Sequence, residues 1–598
     1  MADKIIAGTA AVQVLEHWGV KNIYGLPGGS INSLMDALLA EKENIHYVQV
    51  RHEEVGAMAA AMHAKFTGQI GVVFGSAGPG ATHLMNGLYD AREDHVPVLA
   101  IVGQVATGAM NMDTFQEMNE DPIFADVSVY HRVVMTAQQL PQVIDEAIRE
   151  AYAKRGVAVV QLPVDLGWQE IDKDSLFDAS KTFPKPVFAA PEATDIDAAI
   201  ELLKDAEQPI IFAGVGARGA GDALVTLSKK TKAPIMISAL AIDVVPHDFE
   251  AFLGSATRVA RKPANDAIPR ADVILMLGTN QPFIEVTNMF KSAKKVIQVD
   301  IDPSKFGKRH HTDLAILADA KEVIDALNSN LTDLPETDWW KANIDNIANW
   351  KEYTDSLENS TEEPLTLYQV YRGINNVSVE NALFSVDVGD VTLTSVRHLH
   401  LKKGQQWRTS GLFATMGVGV PGAIAAKLES PEQQVWSLSG DGAFSMVMQD
   451  LATQVQEKLP IINVIFSNEQ FGFIKDEQEV TNKGYIGISF TGIDFAKVAD
   501  AMGAKGFTIK HPLEIDLAFK AALEEVKKGF PVVIDAKISG ESPMPVEALE
   551  LDPDLYTADQ IAAFKTRYHA ENLKPFSDFL KEEGTKTQQS SEEAHGGF

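Results

Sequence analysis

The sequence predicts an α/β protein of three doubly wound parallel-sheet domains. Three observations carry this. The 598 residues exceed what a single core accommodates, and length alone points to several domains. Short apolar runs alternate with amphipathic stretches along almost the whole chain. The runs have the rhythm of parallel strands covered by helices on both faces.

In the first unit the predicted strands are Ile23–Leu26, Tyr47–Val50, Gly71–Phe74, Val98–Val102 and Val157–Leu162. The stretch from Trp168 to Pro191 has no period and carries Pro184, Pro186 and Pro191, so it reads as a linker. A second unit follows, with strands at Pro209–Phe212, Pro234–Ile237, Val273–Leu277 and Val296–Val299. It closes in polar, Trp-bearing helices between Asp319 and Glu363. The third unit runs from about Leu365, with strands at Leu383–Val386, Val435–Leu438, Ile461–Phe466 and Pro531–Ile534. We draw the units at 1–185, 186–340 and 341–575, followed by a polar tail over 576–598. Beyond about Leu580 that tail has no period and is expected to be disordered.

The balance of 52 Lys and Arg against 82 Asp and Glu, a net charge of -30, repels nucleic acid and anionic membranes. With no Cys, the chain has no disulfide, thiolate-bound zinc, iron–sulfur cluster or thiol nucleophile. The N-terminus lacks the long apolar core of a signal peptide, and there is no apolar run of about 18 residues elsewhere. Cytoplasmic residence without a membrane partner is the resulting expectation.

The most informative stretch runs from Val435 to Phe473. A predicted strand ends in Gly440-Asp441-Gly442, a helix follows, and the next strand ends in Ser467-Asn468-Glu469-Gln470. Open α/β sheets bind ligands at such carboxyl ends. Glycine on each side of Asp441 lets the backbone approach a diphosphate. The Asp441 carboxylate, the Asn468 oxygen and one backbone carbonyl are hard ligands suited to Mg²⁺. Gly-Asp-Gly alone is also a common turn. Asn468, 27 residues on, is the span one βαβ unit needs to bring the two together, and the pair is more specific than either part.

This arrangement resembles the thiamine-diphosphate motif, in which Gly-Asp-Gly is followed by Asn-Asn. Asp441 and Asn468 match the metal ligands, and Gln470 matches the residue whose carbonyl binds the metal. Ser467 replaces the first Asn, which is not a ligand. The segment Arg51-His52-Glu53-Glu54 resembles the family's glutamate segment. The resemblance implies that Glu53 shares a proton with the pyrimidine ring of thiamine. A charged first turn of an Ala-rich helix explains Glu54 better than Glu53. Gly28-Gly29-Ser30 and the loop Gly75 to Gly87 resemble further cofactor loops, with Gly29 and Ser30 at the cofactor and His83 near the reacting carbon; a lone His is more often structural.

In the middle unit Gly214-Val215-Gly216-Ala217-Arg218-Gly219 follows a strand and matches a dinucleotide fingerprint in its letters. The next strand ends in Ser238-Ala239, not in the acid that a nicotinamide site needs. The fragments Ser255 to Val259, Leu277 to Phe283, Gln298 to Pro303 and Leu317 to Ala320 resemble the FAD contacts of pyruvate oxidases. The resemblance assigns Gly214, Gly216, Gly278 and Asn280 to the flavin, with Arg258 and Val259 beside it. Asp300, Asp302 and Asp319 are assigned to hydrogen bonds with its sugar or adenine portions. Singly, these acids also read as caps and turns.

From about residue 5 to 575 the chain resembles the phosphate-dependent pyruvate oxidases of lactic-acid bacteria, a family with thiamine diphosphate, FAD and Mg²⁺. The resemblance places Phe473 between thiamine and flavin, Glu477 toward the substrate, and Val388 and Ile474 in an apolar wall. It further implies that Met416 holds the bent thiamine, with Gly389, Gly440, Gly442 and Ala443 around the cofactor. Core packing is the commoner fate of residues such as Phe473 and Met416. Phe115 and Gln116 match a segment of the neighbouring subunit, and an obligate dimer, paired again into a tetramer, is implied.

The implied reaction is decarboxylation of pyruvate through a thiamine enamine that reduces FAD. Phosphate and O₂ then give acetyl phosphate and hydrogen peroxide. Three alternatives stand beside it. Acetolactate synthases share the fold and a non-redox FAD. A membrane-activated, quinone-reducing oxidase is disfavoured because no amphipathic tail is visible. A silent cofactor-binding scaffold is disfavoured by the intact Glu53, Asp441 and Asn468.

Overall fold

The structure is a computed structural model and describes residues 3–173, 178, 180–183, 189–256, 260–280, 290, 293–481, 484–540, 557–568 and 573–595. Three sheets of six strands organise the chain, and every pairing within them is parallel. The first contains Asn22–Gly25, His46–Gln49, Gly71–Gly75, Val98–Gln104, Ser128–Val133 and Val157–Pro163. The third contains Leu383–Val386, Gln406–Arg408, Val435–Gly440, Ile462–Ser467, Lys505–Ile509 and Val532–Lys537. With strands numbered in chain order within each unit, both sheets run 2-1-3-4-6-5, so the terminal units are two copies of one topology.

The middle sheet holds Pro209–Ala213, Ile235–Ile237, Phe252–Ser255, Val273–Leu277, Lys295–Asp300 and Leu314–Leu317, in the order 3-2-1-4-5-6. This is the order of dinucleotide-binding sheets, whose crevice opens between strands 1 and 4. In the two outer sheets the direction of winding changes between strands 1 and 3. The candidate residues gather where the chain leaves the carboxyl ends of these strands.

The first and third units share one buried cluster. The helix Glu53–Thr67 packs on the helix Gly419–Glu429, with Ala57, Ala60, Val420 and Ala423 all buried between them. A Cβ on Gly422 would lie 2.6 Å from Met62 Cε, which shows how closely the two helices approach.

Two expectations are corrected. Part of the stretch read as a linker is ordered, because Glu170–Asp172 pairs antiparallel with Lys4–Ile6 and ties the end of the first unit to its start. The tail is helical from Phe576 to His595. Its first turns carry Phe576, Phe579 and Leu580 on one face, against the helix Asp338–Glu358. Phe576 is fully buried, edge-on to Trp339 at 5.7 Å, with the Arg270 guanidinium 5.5 Å above its ring. The apolar anchor precedes the polar run, and the helix continues from it. Among the described residues no helix is long and apolar enough to cross a membrane.

Candidate active site

In the third unit, Val435–Gly440 and Ile462–Ser467, the strands next to its switch point, pair with Gly440 opposite Phe466, so Asp441 and Asn468 leave adjacent strand ends. The Glu469 N–H donates to Asp441 Oδ2 at 2.7 Å and closes one loop onto the other. Gly442 N–H donates to Asp441 Oδ1 at 2.9 Å. Asp441 is buried, and burial pushes its carboxyl up to about 6 despite these donors. A divalent cation beside it would favour the charged form. Asn468 Oδ1 accepts from Gln470 N–H at 3.2 Å. The bridge beside Gln470 is made by its neighbours, Phe471 N–H to Ile488 O and Phe490 N–H to Glu469 O, which leaves the Gln470 carbonyl out of the pair. The oxygen donors of residues 441, 468 and 470 thus fit a hard cation such as Mg²⁺.

Around them the backbone leaves space. An added Cβ on Gly389 or Gly440 meets nothing within 4 Å, and Gly389, with φ 131°, opens the helix Asp390–His398. Open backbone at a helix start suits a diphosphate. Gly442 has a different reason: a Cβ there would come 2.5 Å from the Phe471 ring. Ala443 is buried, whereas Val388 and Met416 are half-buried.

Glu53 is buried at the first turn of the helix Glu53–Thr67, whose cap is His52, accepting from Glu54 N–H through Nδ1 at 3.3 Å. His83 Nδ1 lies 2.9 Å from Glu53 Oε2, and the His83 and His52 rings stack at 4.3 Å. A Cβ on Gly80 would stand 3.2 Å from Glu53 Oε1. Ser30 Oγ is 2.7 Å from Ser76 Oγ and accepts from Ala77 N–H at 2.9 Å, which ties the two loops of this switch point together. Gly29 faces open space. The sequence therefore brings Glu53, His83, Gly29 and Ser30 to the ends of neighbouring strands, as expected of a binding loop cluster.

In the middle unit the crevice is lined by glycine. A Cβ on Gly214 would lie 2.3 Å from Gly278 O, and one on Gly278 would lie 2.6 Å from Gly216 Cα; Gly278 is also left-handed, with φ 60°. The close crossing of these two loops at the crevice fits a dinucleotide approaching bare backbone. Asn280 accepts from Arg309 through both its carbonyl (2.9 Å) and Oδ1 (3.1 Å). Asp300 Oδ1 accepts from Asp302 N–H at 2.9 Å, and burial raises its carboxyl. Asp302 and Asp319 cap the helical turns that follow them, accepting from Ser304 N–H and Lys321 N–H at 2.9 Å each. Arg258 and Val259 lie outside the described residues.

Phe473, Ile474 and Glu477 share the helix Gly472–Thr481, Phe473 and Glu477 one turn apart on the same face. Phe473 and Glu477 are half-buried and Ile474 is 45% exposed. Phe115 is 88% exposed and Gln116 is exposed as well, on a loop of the first unit. No hydrogen bond or ion pair among the described residues joins the Glu53 cluster to the Asp441 cluster.

Sequence reasoning missed Asp387. Fully buried, it accepts from Val388 N–H (2.9 Å), Gly417 N–H (2.7 Å), Gly419 N–H (3.2 Å) and Ser439 Oγ (3.0 Å), so one carboxylate joins the strand end, the turn carrying Met416 and the strand leading to Asp441. Its signal was an acid directly after an apolar strand. Asp390 was missed too: burial, and then Asp476 nearby, push its carboxyl up to about 7.

Family models match all three units: the N-terminal thiamine pyrophosphate binding domain over residues 6–123, the central domain over 196–327 and the C-terminal thiamine pyrophosphate binding domain over 387–536. The chain is 53% identical to a pyruvate oxidase of Lactiplantibacillus plantarum, across 97% of this chain and 96% of that one. It is 38% identical to a putative thiamine pyrophosphate-containing protein, YdaP, of Bacillus subtilis, covering 91% and 93%. An acetolactate synthase of Mycobacterium bovis is 29% identical, covering 90% and 89%. With Asp441 and Asn468 held at adjacent strand ends of one sheet, Glu53 after a strand of another and similarity over almost its full length, this chain belongs to the thiamine pyrophosphate enzyme family.

Proposed function

We propose that this chain is a phosphate-dependent pyruvate oxidase, which converts pyruvate, phosphate and dioxygen into acetyl phosphate, carbon dioxide and hydrogen peroxide. The observation that carries this reading is the 53% identity to a pyruvate oxidase over 97% of the chain, against 29% to an acetolactate synthase. The glycine-lined crevice of the middle sheet supports FAD as the second cofactor. When bound, thiamine diphosphate supplies the carbon nucleophile for decarboxylation and FAD the two-electron acceptor.

The residues then have these roles. Asp441, Asn468 and the Gln470 carbonyl would hold Mg²⁺, and the open backbone of Gly389 and Gly440, with Gly442 and Ala443 beside it, would take the diphosphate. Glu53 holds a proton against the pyrimidine ring, and His83, hydrogen-bonded to it, faces the reacting carbon. Gly29 and Ser30 shape the pyrimidine side. Met416 holds the thiamine in its bent shape, Val388 and Ile474 form the apolar wall, Phe473 stands between thiamine and flavin, and Glu477 faces the substrate. Gly214, Gly216, Gly278, Asn280, Arg258, Val259, Asp300, Asp302 and Asp319 hold the flavin. The exposure of Phe115 and Gln116 supports their insertion into a neighbouring subunit's pocket, in a dimer paired into a tetramer.

The test mixes purified protein with pyruvate, thiamine diphosphate, Mg²⁺, FAD and oxygen, with and without phosphate. Peroxide and acetyl phosphate should form together, the latter only with phosphate. Peroxide without acetyl phosphate would remove the phosphorolytic assignment.

A further inference from the structure

The loop from Asn111 to Glu117 is strained and exposed, yet firmly held. Gln116 adopts left-handed backbone, with φ of 64°, a conformation non-glycine residues enter rarely, and Asn111 and Asp113, which enter it more readily, adopt it too, with φ of 65° and 55°. Phe115 stands 88% exposed at its tip. Such strain persists only where surrounding contacts impose it, and it clusters at sites that bind or react.

The imposing contact is the Glu117 carboxylate. Oε1 accepts from Asn111 N–H, while Oε2 accepts from Met112 N–H at 3.2 Å, from Thr114 N–H at 3.0 Å and from Thr114 Oγ at 3.4 Å. A carboxylate collecting several N–H groups makes charge-assisted bonds, and these, the Thr114 N–H first, hold its carboxyl below the usual range. The loop is fixed at its stem too. Met118 O accepts from Gln104 Nε2 at 3.3 Å. A Cβ on Gly78 would lie 3.0 Å from Gln116 O, and the Gly78 N–H donates to buried Glu120 at 3.4 Å.

We propose that Glu117 is a positioning residue: its carboxylate draws the backbone of Asn111, Met112 and Thr114 into a ring, and that ring presents Phe115 and Gln116 in the shape in which they meet the neighbouring subunit's substrate pocket. This rests on the proposed placement of Phe115 and Gln116 at that pocket. Because the ring is built before any substrate arrives, the ordering cost of the loop falls on folding and not on binding.

The test compares four holoenzyme variants, Glu117→Ala, Glu117→Gln, Phe115→Ala and Gln116→Ala, in KM for pyruvate, kcat, flavin and thiamine content, and melting temperature. Glu117→Ala should lower kcat/KM about tenfold to a hundredfold, mainly through KM, with cofactor content and melting temperature unchanged. Glu117→Gln keeps one acceptor oxygen and should recover part of the loss. If kcat/KM of Glu117→Ala stays within about twofold of the parent while Phe115→Ala and Gln116→Ala are impaired, the role of Glu117 is overturned and the pocket reading stands. If all four retain turnover, the placement of Phe115 and Gln116 fails, and the role falls with it. Loss confined to stability and cofactor content would make Glu117 merely structural. Should Glu117→Ala not fold, Glu117→Gln decides by the same outcomes.

Discussion

Glu120 and Asp441 are both buried acids raised by desolvation, but different groups face them. Asp441 receives backbone N–H bonds from Gly442 and Glu469 and, on the proposed reading, takes a cation with Asn468. Glu120 receives one long bond from Gly78, its Oε2 has no hydrogen-bond partner among the described residues, and the charge that acts on it is Asp121, another acid. Beyond Asp121 lies His131, itself held down by burial. Burial pushes Glu120 up to about 8 from an ordinary 4.5. A folded-state value above the unfolded one means that native stability is greatest below the unfolded value and is lost as pH rises toward about 8. Glu120→Gln, neutral at every pH, should therefore match the parent's melting temperature near pH 4.5 and exceed it by a margin that widens up to about pH 8. Melting curves across that range check this, and a constant margin contradicts it. Asp441 and Asn468 were legible in the sequence because each ends an apolar strand and the spacing between them is local. Asp387 and Glu117 were not, because their meaning lies in the backbone groups they collect, and for Asp387 those groups come from residues 388, 417, 419 and 439.

At the scale of elements, the strands that meet at the flavin crevice are central ones. Pro209–Ala213 and Val273–Leu277 meet at the middle sheet's crevice with Leu277 opposite Ala213, and the turns that leave them cross at Gly214, Gly216 and Gly278. Gly278→Ala needs a left-handed backbone and puts its methyl against Gly216 Cα, so flavin content should fall sharply while thiamine-dependent binding of Mg²⁺ persists. Flavin absorbance of the purified variant measures this, and full flavin content would contradict the crevice as its site. The same contrast explains what could be read in advance. Central strands such as Val98–Gln104 and Val435–Gly440 are buried along all or nearly all of their length and stand out as apolar runs. Those absent from the reading, Ser128–Val133, Phe252–Ser255, Leu314–Leu317, Gln406–Arg408 and Lys505–Ile509, all lie at sheet edges. Most of them mix polar or exposed positions with apolar ones, and the pairing that makes them strands comes from the neighbour.

Over the whole molecule, two copies of one topology flank a differently ordered sheet. The outer units are joined through the helices Glu53–Thr67 and Gly419–Glu429, so the helices that start at Glu53 and at Asp441 both pack into one buried cluster. The C-terminal helix closes the body from outside: Phe576 seals the face of Trp339, a contact linking residues more than two hundred positions apart, which a local reading of a polar tail does not anticipate. On the proposed reading, this architecture sets the thiamine carbon and the flavin close enough for electrons to pass. The most direct measurement is the flavin absorbance of the holoenzyme when pyruvate is added without oxygen. The account predicts bleaching of the oxidised flavin, reversed on admitting air. An unchanged flavin spectrum, with pyruvate consumed to acetolactate, would contradict it.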